Sequence, residues 1–308
     1  MALDHTAAGV YVIAPTPFHD DGRVDEASTD RMTDFFVEAG ATGITVLGVM
    51  GEAPKLDQAE ALAIATRMIR RAPIPIVVGV SAPGFAAMRA LARGSMEAGA
   101  AGVMIAPPST LRTDDQIVTY YRQAAEAIGP DVPFVLQDYP LLFQVQMSPG
   151  VIRRIVQENP SCVMLKAEDW PGLEKISTLR GWQAEGSLRP LSILCGNGGI
   201  FIDFEVERGA DGAMTGYAFP DMLADVVRLL KAGERDAAHD LFDAHLPLIR
   251  YEQQFGLGLA VRKYVLKRRG VIASDAQRKP GGMLSAKAVA EVEYLLARLA
   301  QHDPRAAL

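Results

Sequence analysis

One pattern constrains the fold of this chain more than any other. Short apolar runs rich in β-branched residues recur along most of its length, each followed by an amphipathic stretch of helical length. Eight runs read as strands: residues 9–18, 43–49, 75–80, 102–108, 133–140, 162–169, 191–197 and 212–216. Intervening segments such as DEASTDRMTDFFVEAG and TDDQIVTYYRQAAEAIG begin with acidic or hydroxyl residues and end in glycine, which are helix cap preferences. Alternation of this kind implies parallel strands joined by right-handed crossovers. A near-repeat, EAGATG (38–43), EAGAAG (97–102) and ERGADG (207–212), closes a helix just before a strand. Eight such units predict a closed (β/α)8 TIM barrel rather than an open doubly wound sheet. Past residue 231 the strand signals stop and three further helices are expected. The expected organisation is therefore a barrel catalytic domain at 1–231 and a C-terminal helical extension at 232–308 that covers the barrel or joins subunits.

Composition removes several function classes. At 308 residues and 49% hydrophobic, the chain can bury a large core. A net charge of -6 argues against a nucleic-acid surface, which needs clustered Lys and Arg. The basic run RKYVLKRRG (262–270) has helical spacing and is expected to form a solvated face. Cys162 and Cys195 lie inside apolar runs, which suits buried thiols in a reducing compartment, and a cytoplasmic protein is expected. The first ten residues lack the basic-then-apolar order of a signal peptide, and no segment is apolar for long enough to span a bilayer, so no membrane partner is expected. There is no GxGxxG after a strand and no GxxxxGK[ST], and none of the five histidines stands at a strand end with a carboxylate at ligand spacing. No cofactor and no metal is implied.

In barrels of this type the C-terminal strand ends carry the chemistry. The sixth strand runs Cys162, Val163, Met164, Leu165 directly into Lys166, and period-two alternation puts Met164, Lys166 and Glu168 on one face. Burial among apolar groups disfavours an ammonium, so a nucleophilic amine able to form an imine with a ketone becomes accessible near neutral pH. Two plainer fates are open to Lys166: an ion pair with Glu168, or emergence into solvent where the strand ends.

Further motifs bear on that choice: TPF (16–18), GVMGE (48–52), the prolines 107 and 108, LK (165–166) and CGNGG (195–199). In this order and spacing the chain resembles the dihydrodipicolinate synthase / N-acetylneuraminate lyase family. Its members are class I Schiff-base aldolases and lyases of pyruvate or a related 2-keto acid. The resemblance implies that Lys166 is the imine-forming lysine and that the backbone amides of Val49 and Met50, in the turn begun by Gly48, hold the keto acid carboxylate. It also implies a homo-oligomer, dimer or tetramer, with a small-molecule 2-keto acid as partner. Gln137, Gly196 and Met214 complete the expected substrate contacts.

The departures matter as much. The family's usual Gly-Thr-Thr-Gly-Glu turn is here Gly48-Val49-Met50-Gly51-Glu52, so both hydroxyls are gone. Gln137 stands where the family's catalytic tyrosine belongs, Ser109 and Thr110 replace a tyrosine pair, and Leu141, Leu142 and Phe143 occupy the region of an arginine that holds a second carboxylate. Each step of imine chemistry moves protons, and a positioned acid or base typically contributes ~100- to 10,000-fold. Loss of the relay therefore argues against the synthase activity. It leaves a Schiff-base lyase of the aldolase, hydratase-aldolase or dehydratase type, or a non-catalytic 2-keto acid sensor. Tyr139, two residues past Gln137, either enters the pocket from a higher layer or packs at the strand exit with its hydroxyl in water. Glu168 is expected to act as general base or to hold the ammonium in place. Asp138 is expected to face the helices, Glu52 to fix its loop, and Tyr217 to lie near the rim.

Overall fold

The computed structural model describes residues 2–308. Eight parallel strands close on one another in sequence order: β1 (Gly9–Ile13), β2 (Gly43–Val46), β3 (Ile76–Gly79), β4 (Gly102–Ile105), β5 (Phe134–Asp138), β6 (Cys162–Ala167), β7 (Ser192–Cys195) and β8 (Gly212–Thr215). The barrel read from the alternation is the barrel that forms. Each strand is shorter than its apolar run, because residues such as Ala14–Phe18 continue past the last ladder bond into loops at the open end.

Period two sorts the side chains into two cores. Tyr11, Ile13, Met104, Val135, Met164 and Met214 fill the barrel interior, whereas Val10, Val12, Val103, Leu136 and Leu165 pack outward against the helices. Fully burying a Val, Leu, Ile or Met stabilises by about 1.5–3 kcal/mol, so a one-residue slip in register would exchange the two cores at great cost. The helices start where their caps require. Asp57 and Thr113 each form a capping box with Glu60 and Gln116.

The extension comprises the helices Arg235–Glu252, Gly258–Arg268 and Ala286–Leu299. Phe242, Val261, Leu266 and Val292 of this region share one apolar cluster with the barrel's outer core. The basic run departs from the solvated face expected of it. Arg262 is 2% exposed and Lys263 fully buried, because each meets a buried carboxylate: Arg262 Nε lies 2.6 Å from Glu252 Oε1 and Lys263 Nζ 2.6 Å from Glu52 Oε1. Both cysteines are buried and unpaired. No helix among the described residues is long and apolar enough to cross a membrane.

Candidate active site

A cavity of about 320 Å³ opens at the C-terminal ends of the strands, a size at the lower end of small-molecule sites. Lys166 reaches it because β6 alternates: Met164 points into the barrel, Leu165 out to the helices, and Lys166 in again, above Met164. Its ammonium is not in apolar surroundings. Nζ lies 3.0 Å from Glu168 Oε2, and both side chains are nearly sealed from solvent. Of the fates open to this lysine, the ion pair forms, and it forms inside the cavity.

Three groups fix the Glu168 carboxylate. Gln137 Nε2 donates to Oε2 at 2.7 Å, Lys166 approaches the same oxygen, and the Asn197 amide donates to Oε1 at 3.3 Å. The Asn197 side chain also donates to the Glu168 carbonyl at 2.8 Å. The glutamine in the tyrosine's place thus touches the carboxylate beside the lysine. Tyr139 lines the same cavity, its ring edge-on to Phe143. Burial, and then the nearby Glu168 charge, push its hydroxyl up to about 12, so at neutral pH it is a proton donor and not a base.

On the facing side Val49 and Met50 line the cavity. They open a 3-10 turn, Val49–Gly51, whose first N–H groups have no partner within the turn. Leu47 and Glu52 bracket it at φ 58° and 55°, conformations that cost a non-glycine residue about 1–3 kcal/mol and persist only where the surroundings impose them. Glu52 is held by Lys263, by Lys55 at 2.8 Å and by the Arg278 amide at 3.1 Å. It fixes its loop, as expected.

Gly48, Gly196 and Met214 do not line the cavity. Met214 lies in the packed interior, and the next two residues, Thr215 and Gly216, line the cavity in its place. Gly196 acts through a neighbour: a Cβ there would sit 2.2 Å from Glu168 Cγ. Asp138 faces the helices, where Lys175 Nζ meets it at 2.6 Å, and burial lifts its carboxyl to about 6. Tyr217 is not at the rim. It is buried, 3.0 Å from His245 Nδ1, whose Nε2 lies 2.8 Å from Asp303. Sequence reasoning missed Glu252, Gln253, Gln254 and Arg262, which the extension brings to the cavity. The local signal at Arg262 was a charge pattern, and that pattern pointed to solvent.

A (β/α)8 barrel with a buried amine paired to a carboxylate in a cavity at the C-terminal strand ends has the architecture of a barrel enzyme. The chain belongs to the dihydrodipicolinate synthetase family, whose model matches residues 6–299. It is 29% identical over 301 residues, 94% of each chain, to the L-2-keto-3-deoxyarabonate dehydratase of Azospirillum brasilense. It is 24% identical over 305 residues, 92% of this chain and 99% of the other, to the probable 2-dehydro-3-deoxy-D-pentonate aldolase YjhH of Escherichia coli strain K12. Among solved structures, dihydrodipicolinate synthase from Rhodopseudomonas palustris shares 70% identity, with a TM-score of 0.96 over 97% of this chain and 99% of that one. The chain is an enzyme, a carbon-carbon or carbon-oxygen lyase of this family.

Proposed function

We propose that the protein is a Schiff-base lyase in which Lys166 condenses with a 2-keto acid bearing a hydroxyl on C4. The observation that carries the reading is the cavity-lining Lys166 with Glu168 at 3.0 Å. Glu168 accepts a proton from the ammonium, and the freed amine attacks C2 of the keto acid. The carbinolamine hydroxyl leaves as water when Glu168 returns that proton. Val49 and Met50 amides receive the substrate carboxylate. With the iminium as electron sink, the carboxylate removes a C3 proton and the C–H electron pair becomes the enamine double bond. The enamine then expels the C4 hydroxyl, which takes a proton and leaves as water: a dehydration. Alternatively, from the iminium and before C3 loses a proton, Glu168 takes the C4 hydroxyl proton, C4 becomes a carbonyl and leaves as an aldehyde, and the C3–C4 electron pair becomes the enamine double bond: a retro-aldol.

Two features favour these reactions over the synthase named for the Rhodopseudomonas palustris structure. Gln137 cannot relay protons as a phenol does, but it holds the carboxylate that can. Leu142 lines the cavity in the region where the family's second-carboxylate arginine is expected. A cytoplasmic homo-oligomer belongs to the same reading, and light scattering on the purified chain tests the assembly.

The reading is tested by borohydride trapping with pyruvate, read by intact mass and peptide mapping, on wild type and Lys166→Ala. An adduct confined to Lys166 is expected. No adduct with pyruvate or with larger 2-keto acids would overturn the Schiff-base reading.

A further inference from the structure

Lys175 stands where a cation is least expected. It lies in the first turn of the helix Leu173–Ala184, where the helix dipole disfavours positive charge, and it is only 8% exposed. Two carboxylates hold it: Nζ lies 2.6 Å from Asp138 Oδ2 and 2.6 Å from Asp169 Oδ2. Asp138 is fully buried, and its Oδ1 has no hydrogen-bond partner among the described residues. One ammonium and two carboxylates are thus packed together outside the barrel wall. Buried ion pairs often stabilise no better than apolar side chains of the same size, so stability alone does not account for the cluster.

What the cluster ties together does account for it. Asp138 ends β5, and Asp169 stands two residues past the end of β6. Lys175 therefore joins the two strand ends from behind, and none of the three residues lines the cavity. The same strand ends carry the carboxylate beside Lys166. Gln137, next to Asp138, donates to Glu168 Oε2 at 2.7 Å, and the Glu168 amide donates to the Asp138 carbonyl at 2.9 Å. Glu168 itself lies just past the end of β6, and beyond Asp169 the chain turns out to the exposed Trp170. Tying Asp169 to Asp138 holds the chain on the far side of Glu168 while β6 holds it on the near side.

We infer that Lys175 is a positioning residue: by bridging Asp138 and Asp169 it keeps the Glu168 carboxylate against Lys166 and aligned for the C3 proton, although it touches neither. This rests on the proposed imine at Lys166. A carboxylate displaced by about 1 Å loses on the order of 100-fold in rate, and a loosened anchor costs part of that.

Two variants cut the bridge. Asp169→Ala leaves the buried Lys175–Asp138 pair intact, and Lys175→Met with Asp138→Asn removes one charge of each sign. Two quantities are measured for each. The pyruvate concentration giving half-maximal borohydride adduct at Lys166 after equilibration reads the imine, and exchange of the pyruvate methyl protons in D2O at saturating pyruvate reads the proton transfer. Exchange is expected to fall roughly tenfold or more in both variants, with the half-maximal trapping concentration staying within about threefold of wild type. Thermal midpoints identify the folded variants. The Asp169 side chain is the most exposed of the three, so Asp169→Ala decides where the paired variant does not fold. A folded variant that exchanges within about threefold of wild type overturns the inference alone, as does one whose trapping weakens in step with its exchange, or a wild type that traps pyruvate without exchanging it. A wild type that does not trap pyruvate overturns the imine reading and the inference with it.

Discussion

Gly196→Ala should disable Glu168 without touching it chemically. The added Cβ would sit 2.2 Å from Glu168 Cγ and 2.5 Å from its Oε1, against about 3.4 Å for ordinary contact, so the side chain must retreat by about 1.2 Å. The backbone does not yield easily. The Gly196 amide is tied to the Ala167 carbonyl at 2.9 Å, and its carbonyl to the Gly199 amide at 2.9 Å. A shift of this size displaces the carboxylate from the position that Gln137 Nε2 and Lys166 Nζ now meet at 2.7 and 3.0 Å. Misplacement by about 1 Å costs on the order of 100-fold in rate, and loss of hydrogen bonds to a buried charge costs about 1–3 kcal/mol in stability. The assay is exchange of the pyruvate methyl protons in D2O, followed by NMR, which needs only the imine and its base. We expect exchange to fall roughly 100-fold in Gly196→Ala, to fall similarly in Glu168→Gln, and to fall no further in the double variant. Exchange within about threefold of wild type would show that Glu168 does not carry the proton.

Three further outcomes follow from buried polar groups elsewhere. Glu205 is buried beside Cys195, and its carboxyl is pushed up from 4.5 to about 8. The folded chain therefore binds a proton that the unfolded chain releases, a contribution complete below about pH 4.5 and lost as pH rises through about 8. Glu205→Gln has no such loss, so its urea midpoint should gain on wild type between about pH 5 and about pH 9; parallel curves would refute the argument. Lys263→Met leaves Glu52 with only Lys55 and the Arg278 amide, and should destabilise by about 3 kcal/mol in urea while raising the pyruvate concentration needed for trapping, because the Val49–Gly51 turn loses its brace. Tyr217→Phe strips His245 Nδ1 of its partner and should cost about 1–3 kcal/mol without altering pyruvate trapping at Lys166; weakened trapping in a folded variant would place the phenol at the site after all.

What was legible in the sequence was whatever local periodicity encodes. Alternation placed Lys166 and Glu168 together and Asp138 on the opposite side, because a strand has only two faces and β6 keeps its pairing to β5 up to the Gln137–Lys166 and Asp138–Ala167 pairs. What was not legible was any charge whose partner is remote. Lys263 reads as one more cation in a basic helix until Glu52, 211 residues earlier, is brought against it. Tyr217 reads as a rim phenol until His245 and Asp303 close over it. Periodicity gives a helix its faces, but which face meets solvent depends on what packs there. The same limit applies to the site itself. The lysine and its carboxylate come from the barrel, where the pattern is strong, whereas Arg262 comes from the extension, where the pattern named the wrong face.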